Sequence, residues 1–178
     1  MGVLTQSRTA LPAGSWVLDP VHSTIGFELP YMAGTFRGQF ADVEARLTET
    51  ALTGVARVAS VEVKDENLSA HLQSPEFFDV ERHPDLSFES HELERGGDDL
   101  VVRGELTIRG ITKPVELTGT IAGPITDAYG RERTNLNLST TVDRTEFGLD
   151  WNMPLPNGEP ALGNDVKLVA ELYFVQEA

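Results

Sequence analysis

The sequence predicts an all-β protein: an eight-stranded antiparallel barrel with one short helical segment. Three observations carry that expectation. Apolar residues alternate with polar ones along most of the chain, turn-forming dipeptides separate the alternating runs, and one segment departs from both patterns. Alternation of period two puts one side of a strand against a core and the other in water, as antiparallel sheets require.

The candidate strands, in order, are 16–29, 36–48, 54–64, 86–94, 99–109, 112–122, 134–144 and 165–175. The first carries Pro20 and is expected to break there. In the second, Phe36, Gly38 and Phe40 share one phase while Val43, Ala45 and Leu47 share the other, so a bulge or bend must lie between 40 and 43. Leu86-Ser87-Phe88-Glu89, Val102 to Arg109, Val115 to Ile121 and Leu136-Asn137-Leu138 show the cleanest alternation. In the last strand Val166, Leu168, Ala170, Leu172 and Phe174 share one side, and Val169 and Tyr173 on the other imply that this face is partly covered too. Turns are expected at Gly96-Gly97-Asp98-Asp99, Arg109-Gly110, Gly123-Pro124 and Tyr129-Gly130.

The exception is Asn67 to Asp79, which reads as helix. Ser74-Pro75-Glu76 offers an N-cap, a proline at the first helical position and an acid in the first turn. Trp151 to Asp165, with Pro154, Pro156, Gly158, Pro160 and Gly163, is expected as a long loop, and 1–14 as a mobile tail ahead of a domain spanning 15–178. Strands of about nine residues or more are long for an average sheet. Closing about eight of them removes exposed edges and leaves an interior that is either packed or holds one small ligand.

Composition narrows the function classes. The 178 residues carry 14 Lys and Arg against 28 Asp and Glu, a formal charge of −14. That balance argues against nucleic acid and anionic membrane surfaces, which need cationic patches. The chain has no cysteine, which excludes disulfides, thiolate metal sites and cysteine nucleophiles. No apolar run approaches the roughly 20 residues of a membrane span, so stable membrane insertion is not expected. The first residues, MGVLTQSRTALPAGS, have no signal-peptide core, so a cytoplasmic location is expected.

Catalytic signatures are thin. There is no Gly-x-Ser-x-Gly elbow and no dinucleotide or phosphate-binding glycine loop. Most carboxylates, such as Glu89, Glu105 and Glu116, fall on outward phases. His22, His71, His83 and His91 show no metal-ligand spacing; the first three read as hydrogen-bonded structural residues ahead of a ligand-head or metal role, and His91 falls on the surface. Neither a metal nor a cofactor is expected, and no catalytic residue is assigned.

Certain stretches resemble a family. They are Trp16-Val17-Leu18-Asp19-Pro20-Val21-His22-Ser23 with Ile25 and Phe27; Phe36-Arg37-Gly38-Gln39-Phe40; and His71 to Asp79. His83-Pro84 with Phe88 and Ser90, then Gly104 to Val115, then Arg144 and Phe147-Gly148-Leu149 complete the set. In this order and spacing the chain resembles the YceI-like, polyisoprenoid-binding proteins, which have a lipocalin-like barrel. The resemblance implies binding of an isoprenoid lipid or isoprenoid quinone in an apolar cavity, without catalysis. Where the family commonly has a His, this chain reads Pro30-Tyr31-Met32, so that contact to a ligand head is not carried over and the Tyr hydroxyl is expected in its place. Many relatives are exported; the start of this chain lacks that signal.

Strand phases point Phe27, Phe36, Phe40, Phe88, Leu106, Ile108, Leu117, Leu138 and Phe147 inward. A mouth is expected around Tyr31 and Met32, a helix carrying Phe77 and Phe78, and the loop beginning at Trp151. Gly104 and Gly119, on inward phases, are expected to leave space for a ligand. Two other readings stay open: an enzyme acting on such a lipid at the mouth, and a packed-barrel stress or interaction protein. Oligomeric state is left open, with a homodimer as one option.

Overall fold

The computed structural model describes residues 10–177. Its strands are β1 (Trp16–Leu18), β2 (Thr24–Tyr31), β3 (Gly34–Phe40), β4 (Val43–Leu47), β5 (Leu52–Arg57), β6 (Val61–Glu62), β7 (Asp85–Gly96), β8 (Asp99–Ile108), β9 (Ile111–Thr126), β10 (Glu132–Asp143) and β11 (Asp165–Gln176). One α-helix, α1 (Glu66–Gln73), stands between β6 and β7 among the described residues.

These strands form eight staves of a closed antiparallel barrel. Three staves are broken in two. β1 and β2 both lie on β11, at Leu18↔Phe174 and Thr24↔Glu171, and β4 and β3 follow on β1 and β2. The ring β1-β4-β5-β7-β8-β9-β10-β11 then closes through β1 on β11. At the other end β6 pairs with β3, and Val58 to Pro84 fills the wall between β6 and β7.

The breaks have local causes. Between β3 and β4 the chain turns at Ala41-Asp42, whose amides bond the Ser60 carbonyl and hydroxyl oxygens at 3.1 and 2.9 Å. That turn lets Phe40 and Val43, on opposite phases, both be buried. Run 54–64 breaks at a 3-10 turn, Val58–Ser60. The turn expected at Gly123-Pro124 does not occur; β9 continues to Thr126, and the register with β10 shifts between Arg133 and Asn135. Proline lacks an N–H, so the ladder takes up this pair as a bulge.

The helix lies earlier than the Ser74-Pro75-Glu76 signal places it. The Asp65 carboxylate caps α1, accepting from the amides of Asn67 and Leu68 at 2.8 and 3.3 Å. Ser74 sits at the C-terminal end, its hydroxyl donating to the His71 carbonyl at 2.6 Å. Pro75 ends the helix, because it has no N–H to continue it. Phe77 and Phe78 therefore occupy the turn after α1.

Two apolar clusters stack along the barrel. At the closed end Trp16, Leu47, Leu100, Val102, Leu136 and Phe174 pack without residual exposure. Ala10 to Gly14, expected in a mobile tail, lie against this end: Pro12 is buried, Leu11 packs on the cluster, and the Ala13 carbonyl accepts from the Trp16 indole at 3.2 Å. The rest of that expected tail, 1–9, lies outside the described residues. The second cluster, with Phe27, Phe40, Phe78 and Phe147, belongs to the open end.

Gly104 and Gly119 do not leave room for a ligand. A Cβ at Gly104 would meet the Glu89 carbonyl oxygen at 2.3 Å, and one at Gly119 would meet that of Asn137 at 1.7 Å. Their space is taken by the backbone of neighbouring strands.

An ion-pair network ties the β1–β2 connection to the β9–β10 hairpin. Arg133 reaches Asp19 through Nη1 at 2.9 Å and Asp127 through Nε at 2.7 Å. Burial pushes the Asp19 carboxyl up, but bonds from His22, Arg133 and the Val21 amide outweigh it and hold the pKa at about 2. The Arg133 bond and the Arg131 amide hold Asp127 well below the carboxylate range. A carboxyl more acidic when folded binds fewer protons in the native state, so it stabilises above the ordinary value of 3.8 and loses that contribution as pH falls toward 2. In thermal scans at fixed ionic strength Tm should fall between about pH 4 and 2, and Arg133→Met should flatten that part of the curve. An equal slope in both proteins would contradict this.

Candidate functional site

Two adjoining cavities occupy the open half of the barrel. The outer one, about 430 Å³, lies under α1, the β2–β3 hairpin and the loop after Phe147. The inner one, about 130 Å³, lies between β5, β7, β8, β9 and β11. Phe40, Leu86, Ile108 and Leu168 line both and stand between them.

All fourteen residues expected at a ligand site line one or other cavity. Phe27, Tyr31, Met32, Phe36, Phe77, Phe78, Phe147 and Trp151 surround the outer one. Phe88, Leu106, Leu117 and Leu138 surround the inner one, with Phe40 and Ile108 at the junction. The Phe27 ring stands 5.8 Å from Phe40 and 6.3 Å from Phe78, and Phe40 is 5.8 Å from Phe78. These tilted and edge-on contacts fix the rings as a wall.

Wall and mouth are set by specific hydrogen bonds. The Met32 amide donates to the Ala161 carbonyl at 2.8 Å and the Gly163 amide to Pro30 at 2.9 Å, stitching the β2–β3 hairpin to the loop. Arg109 donates to the carbonyls of Gly148 and Pro75 at 2.6 and 2.8 Å, holding the Phe77 turn against the Phe147 segment. The rim is apolar yet exposed: Tyr31 is 44%, Met32 57% and Met153 55% accessible. Such a cluster around a concave apolar space marks a binding surface more often than a chance patch.

Polar groups in the outer cavity are few. Beyond Tyr31 and the Trp151 indole, its lining has only His71 and Arg144 with side-chain nitrogen or oxygen. The His71 ring lies edge-on to Phe77 and Trp151, at 4.9 and 4.7 Å, and its Nε2 is 2.9 Å from Glu76 Oε2. Arg144 is 4% exposed, and its Nε donates to the Gly163 carbonyl at 2.9 Å. Its Nη1 donates to the carbonyls of Leu149 and Trp151 at 2.5 and 2.9 Å. Burial pushes its pKa down, with Asp143 and Asp150 acting the other way; a guanidinium nonetheless stays charged at neutral pH.

The expected ligand contacts include neither group, although a head-group role for His71 stayed open beside the structural one. For Arg144 a signal existed. Thr134, Leu136, Leu138 and Val142 share the inward phase of β10, and two further residues bring the alternation to Arg144. His71 offered none, since its orientation follows from the helix being placed before Pro75.

Comparison with known proteins places the chain. The family model described as the YceI-like domain matches residues 16–174. A UPF0312 protein of Pectobacterium atrosepticum is 32% identical over 142 residues, covering 80% of this chain and 71% of its own. UPF0312 protein plu2095 of Photorhabdus laumondii is 28% identical over 156 residues, 82% of this chain and 81% of its own. Among solved structures, Burkholderia cenocepacia BcnA superposes with a TM-score of 0.76 at 18% identity, covering 88% of this chain and 98% of that one. A polyisoprenoid binding domain from Saccharophagus degradans gives 0.66 at 11% identity, over 91% and 98%. At these identities the structural likeness speaks for the fold.

Proposed function

This chain belongs to the YceI-like domain family, and from that premise we propose that its barrel binds the extended apolar chain of an isoprenoid lipid or isoprenoid quinone, as a carrier that does no chemistry on it. The observation that carries this reading is the pair of adjoining apolar cavities, outer and inner, with Phe40, Leu86, Ile108 and Leu168 lining both at the neck a threading chain would pass. An elongated ligand suits two adjoining chambers better than a compact one. Each buried methylene contributes about 0.8 kcal/mol, so about 15–20 buried carbons supply about 12–16 kcal/mol, which leaves the scale of micromolar binding after association costs of several kcal/mol. The likeness to a polyisoprenoid binding domain lends further support. In this reading the lipid is cargo, the fourteen lining residues are its contacts, and neither metal nor cofactor is needed.

The test is direct. Solvent extracts of the purified full chain should yield a prenyl lipid or quinone by mass spectrometry. The delipidated protein should take up a fluorescent prenyl lipid with a micromolar Kd and release it chemically unchanged. Recovery of a modified lipid would instead favour an enzyme, with the His71–Glu76 pair at the mouth as the first place to look for an acid or base. Failure to bind any prenyl, quinone or fatty-acyl chain at micromolar concentration would overturn the proposal in favour of a packed barrel.

A further inference from the structure

We infer, on the reading that the barrel takes an apolar chain, that Arg144 is the polar anchor of the outer cavity and that the ligand carries an anionic oxygen head, a carboxylate or a phosphate. The inference starts from a buried charge with no direct ion-pair contact. Arg144 is 4% exposed, yet its three hydrogen bonds all go to neutral carbonyls, those of Gly163, Leu149 and Trp151. Nη2, with two N–H donors, is buried and has no partner. Among the described residues no carboxylate stands within ion-pairing distance of Arg144, and the nearby Asp143 carboxylate is engaged by the Thr145 amide and hydroxyl at 2.9 and 2.6 Å.

A buried charge normally has a counter-ion, and a buried donor normally has an acceptor. Here Asp143 and Asp150 supply countercharge only at a distance, Nη2 has no acceptor, and the side chain lines the cavity a ligand would enter. The guanidinium is divided in its duties. Nε and Nη1 hold the loop from Leu149 to Gly163 against the end of β10, a structural task complete without Nη2. Nη2, closed off at the cavity wall, then remains for an acceptor brought from outside once that wall shifts to admit it. An anionic oxygen answers both deficits at once, forming charge-assisted bonds of the kind guanidinium makes with carboxylate and phosphate. From that anchor the chain would run past Phe40 and Leu168 into the inner cavity, with the head below the rim rather than at Tyr31.

The experiment uses delipidated full-length protein and one C20 prenyl chain with different heads: geranylgeranyl phosphate, geranylgeranoic acid and geranylgeraniol, with inorganic phosphate as the headgroup alone. The acid and the phosphate ester should bind at least about tenfold more tightly than the alcohol. Arg144→Gln should bring all three within about threefold of one another, whatever the loss of its loop contacts does to their common affinity. Arg37→Gln, the same charge change on an exposed β3 residue, should keep the wild-type order. In wild-type protein the Arg144 side-chain nitrogen resonances should move with the acid and stay put with the alcohol, a readout that stands even if Arg144→Gln fails to fold. Inorganic phosphate alone should displace nothing at millimolar concentration.

Equal affinity for acid and alcohol in wild-type protein, or a head preference that survives Arg144→Gln, would overturn the anchor and leave the apolar-chain reading intact. Binding of inorganic phosphate at Arg144 without a chain would also overturn it, by making this an ion site. Failure of all three prenyl compounds to bind would remove the apolar-chain reading itself.

Discussion

Phe40→Asp is expected to abolish binding of apolar chains, with no saturation at about one hundred times the wild-type Kd, in a protein whose circular dichroism still reports the barrel. Phe40 is 5% exposed, stands against the Phe27 and Phe78 rings at 5.8 Å each, and is one of the four side chains at the neck between the cavities. A desolvated carboxylate costs several kcal/mol even after relaxation, against about 0.8 kcal/mol for each methylene laid beside it. The charge would thus offset the burial of several ligand carbons at the point every threading chain must pass. Two comparisons separate charge from packing. Phe40→Ala should cost about 3–5 kcal/mol of stability through the void it leaves, yet its apolar neck should still admit a chain. Lowering the pH should restore part of the binding to Phe40→Asp, because a buried carboxyl protonates more readily than an exposed one. A folded Phe40→Asp that binds like wild type would mean that the chain does not pass the neck.

What the sequence makes legible and what it hides follow from how local the determining physics is. Alternation reports which side of a strand meets the core. That is why the inward assignment of Phe88, Leu106, Leu117 and Leu138 agrees with their places around the inner cavity. Breaks within a stave are harder to see, since β3 and β4 part at Ala41-Asp42 only because Ser60, eighteen residues on, supplies acceptors for both amides. The helix was displaced by competition between two caps. Ser74 before Pro75 is a sound N-terminal signal, but Asp65 captures two amides nine residues earlier, and Pro75 then acts as the stop. Arg144 lay on a phase that could be followed from Leu136 and Leu138, yet its want of a partner depends on where the loop carbonyls fall, and that is tertiary. A glycine on an inward phase is the most ambiguous of all, because the pattern is the same whether it clears space for a ligand or for another strand.

Gly119 decides that ambiguity, and Gly119→Ala should be the most destabilising single-methyl addition in the barrel. Opposed Cβ atoms in an antiparallel pair usually stand about 4.5–5.5 Å apart. Here a Cβ would lie 1.7 Å from the Asn137 carbonyl oxygen, 2.8 Å from its carbon and 3.1 Å from the Leu138 Cα. All three are backbone, so no rotamer change relieves the clash and β10 itself must move. The position explains the crowding. Gly119 pairs with Leu138 next to the end of the β9–β10 ladder at Thr118↔Ser139, after which Ile111 to Leu117 stay with β8 while Thr140 to Asp143 stay with β11. The two strands press together just before they part, and the absent side chain permits it. A loss above about 3 kcal/mol is expected, which at about 2–4 °C per kcal/mol for a chain of this size lowers Tm by about 10 °C. Gly54→Ala is the matched comparison: its Cβ would meet nothing nearer than 3.6 Å, so its effect should stay within about 1 kcal/mol of either sign. Leu138 lines the inner cavity, so a Gly119→Ala protein that still folds should also bind long chains less well than short ones, the deeper chamber having been disturbed while the outer keeps its shape. Equal Tm values for the two alanine variants would show that β9 and β10 do not approach so closely, and with it that the inner chamber is wider than its walls indicate.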